Sequence, residues 1–176
     1  MQNISSSSAG HTRPDVTLSV TRGVVRLCMN MGFCPLLEFK LANGRRADVA
    51  ALDRKGKLTI IEVKSCKEDF EVDHKWQDYL EYCDEFFFAV AEDFPMALLP
   101  EETGLIIADG FGGAVVRPAI ADPLAAARRK AVTLRFARQS ALRAINVGEP
   151  TDEDNAPNQK GHTALSAKDA RAELIE

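Results

Sequence analysis

Residues 45–65, RRADVAALDRKGKLTIIEVKS, constrain the fold more than any other stretch, because two apolar, strand-like runs flank one short turn. If Arg54-Lys55-Gly56 forms a three-residue hairpin loop with Gly56 in the left-handed conformation, Asp53 faces Lys57 and the two runs pair as antiparallel strands. That register sets Asp48 directly opposite Glu62. Side chains two residues apart share a face of a strand, so Glu62 and Lys64 project together. Leu58 and Ile60 continue that face, while Ala47, Val49, Ala51, Ile61 and Val63 cover the other. Directly opposed carboxylates have Cβ atoms about 4.5–5.5 Å apart and repel unless something neutralises them. An oxygen-preferring divalent ion of the magnesium kind satisfies both acids. The competing reading, an ion pair of Lys64 with one acid, leaves the second acid unexplained.

The flanking pattern is that of one α/β domain over residues 15–147. Asp15 is placed to cap a helix over 16–31, where Val16, Val20, Val24, Leu27, Cys28 and Met31 recur at helical spacing. Strands are expected near 36–41, 45–52 and 57–64, the first pair turning at Asn43-Gly44, as an antiparallel meander. A helix within 68–84, a buried strand over Phe86–Ala91 and weaker strands near 104–108 and 113–117 follow. Asp122-Pro123 reads as the start of a last helix reaching Asn146. Trp76, Phe70, Tyr79 and Leu80, at helical spacing, suit the core better than a base-stacking platform. Asp69 and Asp73 suit helix caps or first-turn acids.

Outside that body the residues are polar. The Ser-rich segment 1–14 has too little apolar content to pack, and 148–176 reads as a flexible acidic tail. The tail carries seven acids and three bases, which accounts for the whole net charge of −4 and leaves nineteen of each sign in residues 1–147. A neutral body argues against a general nucleic-acid coat protein and makes local basic patches the relevant feature. No apolar run approaches the roughly 20 residues of a membrane span, and residues 1–14 lack a secretory apolar stretch, so a cytoplasmic location is expected. Cys28, Cys34, Cys66 and Cys83 form no C-x-x-C pair, which points to reduced thiols rather than a zinc site.

An acid on one strand and Glu62-Val63-Lys64 on its neighbour resembles the PD-(D/E)XK nuclease superfamily, with Ala47 where proline is usual. With the D-F, K-W and Y-C-D-x-F-F-F-A-V pattern that follows, residues 15–120 look more specifically like the MmcB family of bacterial DNA repair proteins. The resemblance implies a restriction-endonuclease-like αβββαβ core with a mixed sheet and an added C-terminal helix. It also implies a nuclease role on damaged or structured DNA and a link to translesion or other repair proteins. By the same resemblance Asp48 and Glu62, with the carbonyl of Val63, would hold Mg2+ or Mn2+, and Lys64 would position the attacking water. Glu38 would be an extra metal ligand drawn from the first strand, with a surface acid beside Lys40 as the alternative. Gln77 would contact ligand or metal water. The competing function is a non-cleaving DNA-binding or scaffold module.

Phosphate contacts are expected from Arg45 and Arg46 beside Asp48, from Arg22 and Arg26 on the first helix, and from Arg128, Arg129, Arg135 and Arg138 on the last. For the last helix the alternative is a solvated outer face. Segment 68–93, with ten acids and only Lys75 as a base, is expected to repel DNA.

Overall fold

The computed structural model describes residues 12–72 and 75–148. Most of the Ser-rich leader, Asp73, the side chain of Asp69 and the tail beyond Gly148 lie outside the described residues. Two compact units divide the chain, Met1–Arg143 and Ala144–Glu176, and the described part of the second is the end of the last helix.

Strands β1 (Cys34–Lys40), β2 (Arg46–Leu52), β3 (Leu58–Lys64), β4 (Glu85–Val90), β5 (Gly104–Ala108) and β6 (Gly113–Arg117) form one mixed sheet in chain order. The first three are an antiparallel meander, β3–β4 and β4–β5 are parallel, and β5–β6 is antiparallel. Tight turns suffice for antiparallel neighbours. Parallel neighbours need a crossover of about a dozen residues or more, and segments 65–84 and 91–103 supply them. Gly56 (φ +83) allows the three-residue turn between β2 and β3, closed by Asp53 N–H donating to Lys57 O at 3.0 Å.

Helix α1 (Arg13–Asn30) covers one face of the sheet, laying Val20, Val24 and Cys28 over Val49, Ala51, Ile61, Val63, Phe87 and Ala89. The other face carries Val132 and Phe136 of helix α3 (Ala126–Gly148) together with Trp76, Tyr79 and Tyr82, packed on Leu36, Phe39, Ala50, Leu58, Ile60, Phe86 and Phe88. Trp76 stacks on Phe86 at 5.6 Å between ring centroids, so Trp76 and Tyr79 are core, as expected, with Phe70 partly buried against it, whereas Leu80 faces outward. Each fully buried large apolar side chain contributes on the order of 1.5–3 kcal/mol.

Four expectations are corrected. Helix α1 begins one turn earlier than Asp15. Thr12 is its N-cap and Asp15 reaches back to accept the Thr12 N–H at 3.1 Å. The helix expected within 68–84 is broken into α2 (Lys67–Val72) and a 3-10 segment, Trp76–Tyr82, whose period of three puts residues 76, 79 and 82 on the core side. Asp122-Pro123 does not open α3. The Asp84 carboxylate accepts the Leu124 N–H at 2.9 Å and its carbonyl accepts the Asp122 N–H at 2.9 Å, which holds this stretch outside the helix until Ala126. Finally, Ala47 packs with Ala50, Leu58 and Ile60 rather than with Val49 and Ala51, because strand alternation is reversed beside Asp48.

Candidate functional site

The reversal originates at the place where the two acids meet. Pairing of β2 with β3 runs from Leu52↔Leu58 to Val49↔Ile61. One residue further, side chains take the ladder's place: Asp48 N–H donates to Glu62 Oε1 at 3.3 Å, and Val63 N–H donates to Asp48 Oδ2 at 2.8 Å. Glu62 is 4 % exposed and Lys64 6 %, and Lys64 Nζ lies 3.9 Å from Glu62 Oε2. Asp48 is half-buried and opens into a cavity of about 560 Å³ bounded by Leu37, Glu38, Ser65 and, from α1, Arg13, Thr17 and Thr21.

Burial pushes the Glu62 carboxyl up to about 8, and the negative charge of Asp48 adds to the rise. Lys64, the Asp48 N–H and the Tyr79 hydroxyl pull the other way. Burial likewise raises Asp48, against the Val63 N–H and the Lys64 charge. Even with Lys64 acting on both and Arg46 also acting on Asp48, both carboxyls stay raised, so the cations among the described residues do not offset the burial of two acids.

On the other side of Asp48, β1 is distorted at its partner position. Leu37↔Val49 and Phe39↔Ala47 pair on either side of Glu38, which has φ 51, a left-handed conformation that costs a residue with a side chain. The kink lets Leu36 and Phe39, three apart, enter the same core. Helix α3 holds it in place. The Arg143 guanidinium donates to the carbonyls of Leu37 and Glu38, the latter at 2.8 Å, and the Gln139 amide both accepts from Lys40 N–H at 3.0 Å and donates to Lys40 O at 2.7 Å.

A family model for MmcB-like DNA repair proteins matches residues 5–151. The chain belongs to the MmcB-like family of DNA repair proteins. Among solved structures, this MmcB-like chain is similar to a protein of unknown function from Silicibacter pomeroyi. The two are 44 % identical with a TM-score of 0.74 over 77 % of this chain and 92 % of that one. No curated protein matches it.

The remaining sequence-predicted residues of this MmcB-like chain are placed as follows. Glu38 turns its carboxylate to Arg46 in an exposed ion pair, though its charge is felt by Asp48. Gln77 is exposed on the 3-10 segment. The residue of that segment that reaches Glu62 is Tyr79, whose hydroxyl oxygen also lies 3.1 Å from Arg46 O, so its one proton is shared between the two acceptors. Sequence reasoning placed Tyr79 in the core and missed this polar end. Arg45 pairs with Asp78 at 2.8 Å, and Arg128 lies over the Tyr82 ring and 3.3 Å from Glu81. Arg129 grips the buried Asp84 with two bonds of 2.6 and 2.8 Å. Segment 68–93 is thus partly neutralised by bases from elsewhere, and Arg135 and Arg138 stand exposed on α3. No helix among the described residues is long and apolar enough to cross a membrane.

Among the described residues, no group of three or more His, Cys, Asp or Glu side chains is placed to hold a metal ion. A divalent ion at this position would draw on Asp48, Glu62 and the Val63 carbonyl. Two carboxylates and a carbonyl are oxygen donors of the kind magnesium takes, with water completing its shell.

Proposed function

We propose that this chain is a divalent-ion-dependent deoxyribonuclease with a restriction-endonuclease-like core, hydrolysing phosphodiester bonds in damaged or structured DNA. The observation that carries the reading is the pair Asp48 and Glu62, hydrogen bonded across β2 and β3 beside Lys64 and under-neutralised by it. A structural ion pair needs one acid, whereas a second, desolvated acid opposite the first is costly unless a cation or proton joins it.

Magnesium or manganese held by Asp48, Glu62 and the Val63 carbonyl would polarise a phosphate oxygen and make bound water a better nucleophile. The chain's own groups do the rest. Asp48 and Glu62 fix their carboxyl oxygens at one place on a rigid strand pair, so the site is preorganised before substrate arrives. Lys64 offers a compact ammonium that orients the attacking water and offsets charge gathering on the phosphate. The Tyr79 hydroxyl hydrogen bonds to the Glu62 carboxylate and favours its charged form. Arg135 and Arg138 supply the backbone-phosphate attraction.

A second reading, a DNA-binding module that does not cut, is favoured by the absence of a third acidic ligand among the described residues. Purified protein with magnesium or manganese, set against labelled single-stranded, duplex, branched and damaged DNA, separates the two. Nuclease function predicts cleavage that disappears in EDTA and with Lys64→Ala, while the variant's DNA affinity changes less than tenfold. Binding without cleavage under all these conditions favours the second reading.

A further inference from the structure

The β5–β6 turn, Asp109-Gly110-Phe111-Gly112, presents an aromatic ring to solvent on a fixed mount. Phe111 is 88 % exposed. A free loop would let such a ring fold back onto apolar surface, but this one is held at several points. Asp109 N–H donates to Gly112 O at 2.9 Å, and the Asp109 carboxylate accepts the N–H groups of Phe111 and Gly112 at 2.8 and 2.9 Å. From α1, the Arg26 guanidinium donates to Gly110 O at 2.6 Å. Gly23 sits so close beneath the turn that a Cβ there would lie 2.2 Å from Asp109 O and 2.3 Å from Gly112 O. Neither the packing nor the turn chemistry requires an aromatic at the tip.

Two features of place bear on what the ring meets. Beside it opens a cavity of about 640 Å³, walled by Val20, Ala91 and Ala108 with Ser19, Glu92 and Asp109 as its polar members, the Asp109 carboxylate being taken up by the turn's own N–H groups. Parallel β3, β4 and β5 end together, Lys64 level with Val90 and Val90 level with Ile107, so the turn after β5 stands at the sheet end that carries Glu62 and Lys64. Two strand spacings, roughly 10 Å, separate Lys64 from Ile107. Exposed Arg22 and Arg26, at i+3 and i+7 from Ser19, lie along one side of α1 toward this turn. A flat apolar ring next to a largely apolar recess on the α1 face, with Arg22 and Arg26 to one side and at the same end of the sheet as Glu62 and Lys64 on its other face, matches a nucleotide whose base is out of the helix.

We propose that Phe111 is a stacking platform for an unpaired nucleobase, seated over the recess between α1 and the β5–β6 turn, so that single-stranded or locally opened DNA is held a few nucleotides from Lys64. Ser19 and Glu92 offer one donor-acceptor and one acceptor to the base edge, and Arg22 attracts the adjoining phosphate. The proposal rests on the reading of this protein as one that acts on DNA, and it adds which form of DNA is preferred.

The test uses the full chain in EDTA, so that cutting plays no part, with short single-stranded and duplex oligonucleotides of equal length. Phe111→Ala is expected to weaken single-strand binding about tenfold while changing duplex binding less than twofold, and Phe111→Tyr to retain affinity. In Phe111→Trp, an added indole beside the buried Trp76 should be quenched by a single strand and less so by one with an abasic site at the stacked position. Equal single-strand affinity for wild type and Phe111→Ala, or equal losses on both DNA forms, overturns the proposal. Phe111-dependent binding with no cleavage on adding magnesium would contradict the nuclease reading alone. Cleavage unaffected by Phe111→Ala would contradict the stacking alone, and no binding to any DNA would contradict both. Phe111 serving instead as an anchor for a protein partner would appear as unchanged DNA binding.

Discussion

The Asp48 N–H donates to the Glu62 carboxylate, so the strand that bears one acid is hydrogen bonded to the other acid rather than to a backbone carbonyl. The reciprocal bond, Val63 N–H to Asp48 Oδ2 at 2.8 Å, closes a ring in which each carboxylate occupies a ladder position. Both acids are thereby fixed in orientation while remaining short of compensating charge.

Glu62 carries a pH signature. Its carboxyl is raised from 4.5 to about 8 in the folded protein, mainly by burial. Between those values the folded state holds a proton that the unfolded state has released, so this group's contribution to stability is greatest below about pH 4.5 and falls as pH rises to about 8. Glu62→Gln keeps a carbonyl acceptor without the charge. Relative to wild type it should be stabilising by a few kcal/mol, as an order of magnitude, above pH 8, and the difference should shrink toward pH 5. Urea titrations of both proteins across that range, without divalent ions, check it; a constant difference would show that Glu62 is not the proton-holding group.

Glu38 tests whether the kink in β1 is costly. At φ 51 glycine is at ease and a β-branched residue is not. Glu38→Gly should leave stability unchanged or raise it by up to about 1 kcal/mol despite losing the exposed Arg46 pair, whereas Glu38→Val should cost roughly 2 kcal/mol. Equal effects of the two substitutions in chemical denaturation would mean that the left-handed conformation is not what β1 adopts in solution.

The arginines of α3 divide by role. Arg129 compensates Asp84, which burial would raise but which Arg129 and the N–H groups of Leu58 and Leu124 hold below the usual carboxylate range. Arg129→Gln leaves that acid without its cation and should destabilise the fold by about 3 kcal/mol. Changing Arg135 and Arg138 together to glutamine should leave the melting temperature within a degree or two of wild type. DNA binding should weaken, with the slope of log affinity against log salt reduced by roughly two. Calorimetry and salt titrations on both variants separate the roles; unchanged DNA binding in the double variant would make its charges a solvated face only.

The meander was legible because its signals are local. Glycine at 56, alternation in β3 and a three-residue turn suffice to set Asp48 against Glu62. The features that sequence alone did not expose depend on partners far along the chain. Arg129 meets Asp84 across 45 residues, and Arg143 meets Glu38 across 105. A period of three at Trp76, Tyr79 and Tyr82 imitates an α-helical stripe well enough to hide a 3-10 segment, and with it the polar end of Tyr79 beside Glu62. Nothing local marks Glu38 for a positive φ, since the conformation is imposed by the pairing around it and by the hydrogen bonds from α3.

The most direct measurement is the thermal stability of wild type and Asp48→Asn, each in EDTA and in millimolar magnesium. Without the ion, the asparagine is nearly isosteric, still accepts the Val63 N–H and removes a repelling charge, so the variant should melt at or above wild type. With magnesium at ten times its dissociation constant, wild type should gain about 1.4 kcal/mol by mass action, on the order of 3–8 °C, and the variant little. A wild type indifferent to magnesium and a variant destabilised in EDTA by roughly 1–3 kcal/mol would contradict the account, because that is how a structural ion pair of Lys64 with Asp48 behaves.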